Sequence, residues 1–532
     1  MGGASVGRYK RTHRTCRGRF MSRQVLLLHA PKTNSHFGPL GEAMSINYMA
    51  VGLPALAASL EAGGWPTEIL HLGVQRVVEP DFDLSEDVAK QPPLLTGLSM
   101  HWHQQAWDTV EAVKAIRRGA PNTFIVLGGF TASAMFQEIL ETVPEVDGII
   151  RGDGEVAVVA LAKALEKQTS LADVPNLSWR NGNTITHNPI SEQSTANSIS
   201  ALDYERFDLL RHSKQYIADF CGPFFIPHKR PQATIMALGQ KLFGGATGKT
   251  MILPAGRGCS VTCGWCGGGK LSHKKFHGRS NWIQVAPGRL AALIARSKEL
   301  GFSGVQACFD PTPKDPEHWI EVCDKVAASG VRTNMFFESY ALPDPKLVDA
   351  LVRTFDRVLI SVSPESPDET VRRRFRPMYF DNKELIESVR MCASKGADLM
   401  LCFGLGLPGE TLDTPKQAVE LVDRCRAVAK GVRIQCRSFA IEMEPGSPWA
   451  LKPDAYGIEL ERRTFTDYLE AHAPGATVEL GYRVKNTGDE SYAEKIQKEA
   501  CKHMCPLPPS PRLGHLTCKA LRAATTSPLR FG

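Results

Sequence analysis

Hydrophobic and polar positions divide the chain into two stretches with the same rhythm. Over residues 24–167, short apolar runs of strand length alternate with longer segments whose apolar residues recur at helical spacing. The runs are VLLLHA (25–30), TEILHL (67–72), LLTGLSM (94–100), FIVLGG (124–129) and VDGIIRG (146–152). Between them the pattern predicts helices over 49–64, over about 104–118 and from Glu155 onward. Short strands separated by helices imply a mostly parallel sheet covered on both faces. The ligands of such a sheet sit beyond the carboxyl ends of its strands. From 249 the rhythm resumes with TMILPA (250–255), VQACF (305–309), TNMFFE (333–338), RVLISV (357–362), DLMLCFG (398–404) and VRIQCRS (432–438). Predicted helices between them cover 287–300, 316–329, 381–395 and 412–429. Six such units predict a partial barrel rather than a closed eightfold one, with chemistry at the C-terminal ends of its strands.

The pattern breaks at 170–247. NLSWRNGNTITHNP carries Asn181-Gly182 between alternating runs, a hairpin signal. The remainder is rich in Pro, Gly and aromatics without periodicity, and reads as a connector packed between two domains. The expected organisation is a basic tail (1–22), a first α/β domain (23–169), the connector (170–247), the barrel (248–450) and a C-terminal extension (451–532). The extension begins with a polar helical stretch and ends in a Pro-rich, basic tail.

Of 532 residues, 43% are apolar and 22% charged, an ordinary globular composition. No run of about 18 apolar residues is present, so no membrane span is expected. The net charge of +7 sits in the tails: residues 1–23 hold seven Lys/Arg and no acid, residues 506–532 four more, and the body carries −4. That distribution argues against a nucleic-acid groove. The first twenty residues lack the apolar segment of a secretory signal, so a cytoplasmic protein is expected, with translation starting near Met21.

Fourteen cysteines are too few for a disulfide scaffold, and most are expected to be free buried thiols. Cys259, Cys263 and Cys266 stand apart. They lie in GRGCSVTCGWCGGG (256–269), just past the first barrel strand, in a Gly-rich loop. Thiolates hold iron–sulfur clusters, normally four to a cubane, so three close ligands leave one iron open. An open position lets a small molecule coordinate. Three unrelated thiols or a zinc site are the alternatives, but zinc wants a second ligand pair at fixed spacing and none lies nearby. A second group, Cys501, Cys505 and Cys518 with His503 and His515 between, is read as free thiols, with an auxiliary metal site as the alternative. GGATGKT (244–250) is one residue short of a phosphate-binding loop and precedes a strand where a helix is required, so it is set aside.

The spacing Cys259-x3-Cys263-x2-Cys266 resembles the radical S-adenosylmethionine (SAM) superfamily, and the resemblance spreads over 249–450. It implies a 4Fe–4S cluster on the three cysteines. Asp310-Pro311 stands where the family has the motif that holds the amino group of SAM, although the match is loose. SVSPESPDE (361–369) is similar to a segment that places Glu365 and Ser366 near the ribose. GLGLPGET (404–411) matches a segment whose backbone lies beside adenine, which implicates Gly406, Pro408, Gly409 and Glu410. MEPGSP (443–448) resembles the segment after the sixth strand. Upstream, GLPALAASLEAGG, TGLSMH, IVLGGFTAS and VDGIIRGDGE (146–155) resemble the cobalamin-binding domain that precedes many radical enzymes. By that resemblance Ser99, Gly128 and Gly129 line the nucleotide tail and corrin edge. The motif that supplies a lower histidine ligand is absent, and His29, His101 and His103 are read as ordinary loop histidines. The implied fold is an N-terminal Rossmann-like, doubly wound cobalamin-binding domain, then a partial (β/α)6 radical SAM barrel and a small C-terminal extension.

The resemblance implies a cobalamin-dependent radical SAM methyltransferase. One SAM methylates the cobalamin; a second yields the 5′-deoxyadenosyl radical that activates an unreactive carbon, or a phosphinate phosphorus, of a small molecule or peptide, in natural-product (antibiotic) biosynthesis. An external one-electron reductant of the flavodoxin or ferredoxin type is implied as a partner. The alternatives are a cobalamin-using radical SAM cyclase or ring-rearranging oxidoreductase, a methylthiotransferase acting on RNA, and a non-catalytic cobalamin-binding protein. Arg372, Arg373, Arg374 and Arg376 form a basic run after the ribose segment, read as a solvated helix end, with recognition of an anion as the alternative.

Overall fold

The computed structural model of the chain describes residues 24–30, 48–220, 249–308, 310, 315–474, 476, 480–485, 495, 496 and 499. Pro311, Cys501, Cys505, Cys518 and residues 244–248 lie outside the described residues.

The first sheet has the order β2-β1-β3-β4-β5-β6-β7. β1 (Val25–His29), β2 (Thr67–His71), β3 (Leu95–Ser99), β4 (Phe124–Gly128) and β5 (Gly148–Ile150) are parallel. β6 (Leu177–Asn181) and β7 (Thr184–His187) continue it antiparallel. The predicted Asn181-Gly182 hairpin is therefore not a free connector element but two more strands of this sheet. Gly182, at φ +58°, supplies the left-handed turn that a tight hairpin needs. Alternation along β1 sorts its side chains. Val25 and Leu27 pack in one core with Leu53, Leu60, Val158 and Leu161, from the helices Gly52–Ala62 and Glu155–Lys167. Leu26 and Leu28 pack in another with Val110, Val113 and Ile139. The chain leaves β1 toward β2 on one side and returns to β3 on the other. The strand order thus reverses between β1 and β3, which opens a crevice at their carboxyl ends.

After β8 (Thr250–Ile252), a small ribbon forms from β9 (Gly256–Arg257) and β10 (Ile283–Gln284). The second sheet then adds β11 (Gly304–Ala307), β12 (Asn334–Ser339), β13 (Arg357–Val362), β14 (Asp398–Leu405) and β15 (Ile434–Ala440) to β8. All its strands are parallel, in the order β15-β14-β13-β12-β11-β8, and the sheet does not close. This is the partial barrel that the pattern predicts. Helices Pro287–Glu299, Pro316–Ser329 and Pro345–Thr354 each start on a proline, whose fixed φ and missing N–H suit the first helical turn. Met335 and Phe337 of β12 face outward into a core with Trp319 and Leu351. Phe336, Leu359, Met400 and Cys402 form a separate cluster on the inner face.

The C-terminal extension is more than a polar helix. β16 (Ile458–Leu460) pairs antiparallel with β17 (Tyr482–Val484). The helix Phe465–Ala471 packs on helices Ala106–Gly119 and Phe136–Thr142 of the first domain, and the Phe465 amide donates to Glu138 Oε2 at 2.6 Å. The two large domains are also tied by Arg257, which bonds Glu155 at 2.9 Å and pairs with Asp153 at 3.0 Å, and by Arg279, which pairs with the same Asp153.

Candidate functional site

The cysteine loop leaves β9 through Gly258, whose φ of +81° only glycine adopts at ease; a Cβ there would lie 2.7 Å from Asn281 O. The segment after β15 buttresses the loop. Glu444 Oε2 accepts from Gly267 N at 2.6 Å, and Trp449 N donates to Gly264 O at 2.8 Å. A Cβ on Gly264 would sit 2.3 Å from the Trp449 indole nitrogen and one on Gly267 2.7 Å from Pro445 O, so these two glycines serve close packing. Cys263 Sγ lies 2.7 Å from the Tyr340 hydroxyl, and Cys266 Sγ accepts from Gly268 N at 3.3 Å. Burial pushes all three thiols up: Cys259 modestly, Cys263 to about 12, Cys266 well above its ordinary range. Burial raises the other core thiols in the same way, so what marks these three is their place: three partly exposed thiols on one glycine-rich loop, a donor set that a bound iron–sulfur cluster would deprotonate.

Around Cys263 stand the ends of β12 and β13. Glu365 is buried with φ +65°, a conformation disfavoured for a non-glycine residue. Its Oε1 lies 3.5 Å from Arg376 Nη1, while Oε2 and the Arg376 atoms Nε and Nη1 are buried without a hydrogen-bond partner among the described residues. Desolvation raises the Glu365 carboxyl to about 7 against the lowering influence of Arg376. Buried donors and acceptors left open on opposite charges fit a ligand bearing both a carboxylate and hydroxyl or ammonium groups. Ser366 and Glu410 hold each other instead. Ser366 Oγ donates to Glu410 Oε1 at 2.6 Å, and Glu410 Oε2 accepts from Gly406 N at 2.8 Å and Leu407 N at 3.1 Å. Their side chains lock the GLPGE turn. Gly406 and Gly409 have φ +103° and +101°, and Pro408 is buried between them. Asp310 lies near enough to Cys259 for its charge to raise that thiol.

The basic run divides. Arg373 and Arg374 are exposed, as expected of a helix end, but Arg372 and Arg376 are buried. Arg372 donates to the carbonyls of Pro364, Ser366 and Phe380 and to Asn382 Oδ1, which fixes the backbone that carries Glu365. Sequence reasoning also missed Glu338. It lies on the same face of β12 as Phe336, in register with Ser361, and desolvation lifts it to about 7. A carboxyl that titrates near neutrality on the inner face of a barrel is an acid–base candidate.

At the first sheet, His71, His29, Ser99 and Gly128 form one lateral row across the ends of β2, β1, β3 and β4. His29 is no loop residue. It ends β1, is wholly buried, and neither ring nitrogen has a hydrogen-bond partner among the described residues. Desolvation first, then His71 and His101, keep it neutral. At Gly128 an added Cβ would find nothing nearer than 3.8 Å, whereas at Gly129 (φ +107°) it would meet Met100 O at 2.8 Å. A Cβ would fit at Gly128 without a clash, so packing alone does not demand glycine there, whereas Gly129 lets two loops touch. An orphaned imidazole at the switch point, two strands from that first glycine in one row, fits a ligand with polar edges. Phe130, next along the chain, reaches the other domain. It stacks on His277 at 4.8 Å, and a Cβ on Gly268 would meet its ring at 3.7 Å and Cys266 Sγ at 3.8 Å.

Residues 47–162 match the B12 binding domain family and residues 253–422 the radical SAM superfamily. The chain carries a B12 binding domain followed by a radical SAM domain. This radical SAM chain is 25% identical over 220 residues to an anaerobic magnesium-protoporphyrin IX monomethyl ester cyclase of Synechocystis sp., covering 41% of the chain and 36% of that relative. It is 22% identical over 290 residues to the hopanoid C-3 methylase of Methylococcus capsulatus, covering 54% of the chain and 47% of the relative. The chain thus spans half or less of these relatives. Among solved structures, the radical SAM methyltransferase TsrM from Kitasatospora setae, with cobalamin and a 4Fe–4S cluster bound, superposes with a TM-score of 0.61 at 16% identity, over 95% of this chain and all of that one. The cobalamin-dependent SAM radical enzyme OxsB superposes with 0.58 at 14% identity, over 90% of this chain and 66% of that one. At these identities the superpositions establish the shared two-domain α/β fold. Among the described residues, no helix is long and apolar enough to cross a membrane.

Proposed function

We propose that this enzyme is a cobalamin-dependent radical SAM methyltransferase that modifies an unactivated carbon, or a phosphinate phosphorus, of a small molecule or peptide in natural-product biosynthesis. The observation that carries the reading is the shared wall at Phe130: the mouth of the B12 crevice abuts the loop that carries Cys266. A methyl donor and a radical source must meet one substrate, and this arrangement supports that meeting. When bound, the cluster and SAM supply one-electron chemistry and cobalamin supplies a methyl carrier.

The protein's own part is assigned as follows. Cys259, Cys263 and Cys266 hold the cluster. Arg376 pairs with the SAM carboxylate, Glu365 accepts from its hydroxyl or ammonium groups, Asp310 lies toward the amino end, and the backbone of Gly406–Gly409 lies along adenine. Ser366, Glu410 and Arg372 position that backbone. His29, Ser99 and Gly128 receive the nucleotide tail of cobalamin, with Gly129 at its edge. Glu338 takes or gives a proton on the inner face of the barrel, where the apolar Phe336, Leu359 and Met400 keep water from the reacting groups. An external flavodoxin- or ferredoxin-like protein supplies the electron, and the described fold suits a cytoplasmic setting.

The similarity to the anaerobic cyclases supports a second reading, cyclisation without methyl transfer. Anaerobic turnover with reductant, SAM and a substrate panel separates the two. Methyl transfer yields S-adenosylhomocysteine together with 5′-deoxyadenosine and a product heavier by one methylene. Cyclisation yields 5′-deoxyadenosine alone. Wild-type loss of both products across the panel, with the cluster intact, speaks for the non-catalytic alternative.

A further inference from the structure

The loop after β3, the segment after β15 and the residue that ends the helix Phe465–Ala471 converge on three side chains: His103, Glu442 and His472. None belongs to the cysteine loop or to the crevice row. His103 and His472 are 1% and 6% exposed, and Glu442 is mostly covered. His103 Nδ1 lies 3.0 Å from His472 Nε2, and His103 Nε2 lies 3.5 Å from Glu442 Oε2. One nitrogen or oxygen from each residue can be chosen so that all three lie within 4.8 Å of one another.

Two imidazoles and a carboxylate form a ligand set that zinc and other first-row divalent ions favour over magnesium or calcium. A tetrahedral ion with bonds of about 2.0–2.1 Å spaces its donors about 3.3 Å apart; because the two short contacts use opposite nitrogens of the His103 ring, His472 or Glu442 swings toward one shared His103 nitrogen when the ion binds, closing a set that already lies within 4.8 Å. The surroundings orient the donors as metal sites do. Gln104 Nε2 donates to Glu442 Oε2 at 2.9 Å, and Tyr468 packs edge-on against the His103 ring at 5.3 Å. We infer that His103, Glu442 and His472 bind a divalent ion of the zinc class, apart from the thiolate site, that clasps the B12 domain, the barrel and the C-terminal extension together. With three protein ligands, the fourth position is left to water. The inference does not depend on methyl transfer, because the three residues are drawn from parts of the fold that any reaction of this enzyme retains.

Cobalt(II) is the probe. Holoenzyme reconstituted with iron and sulfide, then stripped of loosely bound metal, is titrated anaerobically with Co(II). The expected result is about one equivalent bound with weak visible ligand-field bands and no sulfur charge-transfer band, displaced by zinc. H103Q, H472Q and the isosteric E442Q are each expected to weaken this binding at least about tenfold while iron content is unchanged. Zinc should raise the thermal midpoint of the wild type and leave that of E442Q unmoved. The proposal is overturned if wild-type enzyme takes up no cobalt, if cobalt is bound only with sulfur charge-transfer, or if the H103Q/H472Q double variant binds as tightly as wild type. Any of these would leave a Glu–His–His hydrogen-bonded contact as the whole account of the cluster.

Discussion

His29, Glu365 and Arg376 are buried with polar atoms that have no hydrogen-bond partner among the described residues, and the first and last of these make specific demands. His29 closes β1 at the switch point with both ring nitrogens open. A buried polar group left unsatisfied costs about 1–3 kcal/mol, so a cofactor that bonds it gains affinity. His29→Ala is therefore expected to weaken hydroxocobalamin binding by about tenfold, the equivalent of one hydrogen bond of about 1.4 kcal/mol, as read by absorbance titration of the apoprotein. Arg376 presents Nε and Nη1 beside Glu365 and Cys263. Arg376→Lys keeps the charge but loses the fork, and should raise the Kd for SAM by about 10–100-fold with iron content unchanged. Equal loss of iron would mean that Arg376 serves the loop and not SAM. At this scale the sequence was legible where spacing carries chemistry, as in Cys259, Cys263 and Cys266. It was opaque where burial does. His29 follows an apolar run and is followed by Ala30 and Pro31, which gives no sign that it is buried at the switch point with both ring nitrogens unpartnered among the described residues. His103, Glu442 and His472 share no local pattern, because only the tertiary fold brings them together.

The elements themselves were largely written in hydropathy. The helix 316–329 and the strand 357–362 have the boundaries that the hydropathy pattern predicts, because the first carries apolar residues at helical spacing and the second is a short apolar run, each between clear stops. The hairpin signal at Asn181-Gly182 was right, but not its place, since β6 also pairs with β5, which lies outside any local window. The helix Glu369–Phe375 shows why the basic run resisted reading. A single residue step, about 100° around the helix, separates Arg372, sunk among four acceptors, from Arg373, in solvent, and charge alone does not distinguish them. Arg372→Ala leaves buried carbonyls without donors and should cost about 3 kcal/mol or more, whereas Arg373→Ala and Arg374→Ala should stay within about 0.5 kcal/mol. Denaturant midpoints of the three variants check this contrast. A neutral Arg372→Ala would detach the Glu365 backbone from its clamp.

Across the molecule, the domain interface is lined by histidines held neutral. Burial, helped by Arg279, lowers His273 to about 4, and burial with His273 beside it lowers His277 to about 3. The unfolded chain protonates these groups near pH 6.5 while the native chain does not. Native stability from them is therefore intact above pH 6.5 and falls as pH drops toward 4, by up to about 1.4 kcal/mol per pH unit for each histidine. Chemical unfolding at pH 7 and pH 5.5 should show that loss, and H273Q/H277Q should flatten it. The same interface carries a kinetic consequence. Phe130 adjoins Gly129 on one side and rests on Gly268 and His277 on the other. On the proposed placement of cobalamin beside Gly128 and Gly129, Phe130 stands between the corrin and the loop holding Cys266, so a corrin added after the iron is expected to meet a stiffer loop than one added before it. Assembly then has a preferred chronology: apoprotein given cobalamin first and iron with sulfide second should end with fuller occupancy of both than apoprotein treated in reverse, as counted by cobalt and iron analysis of the two preparations.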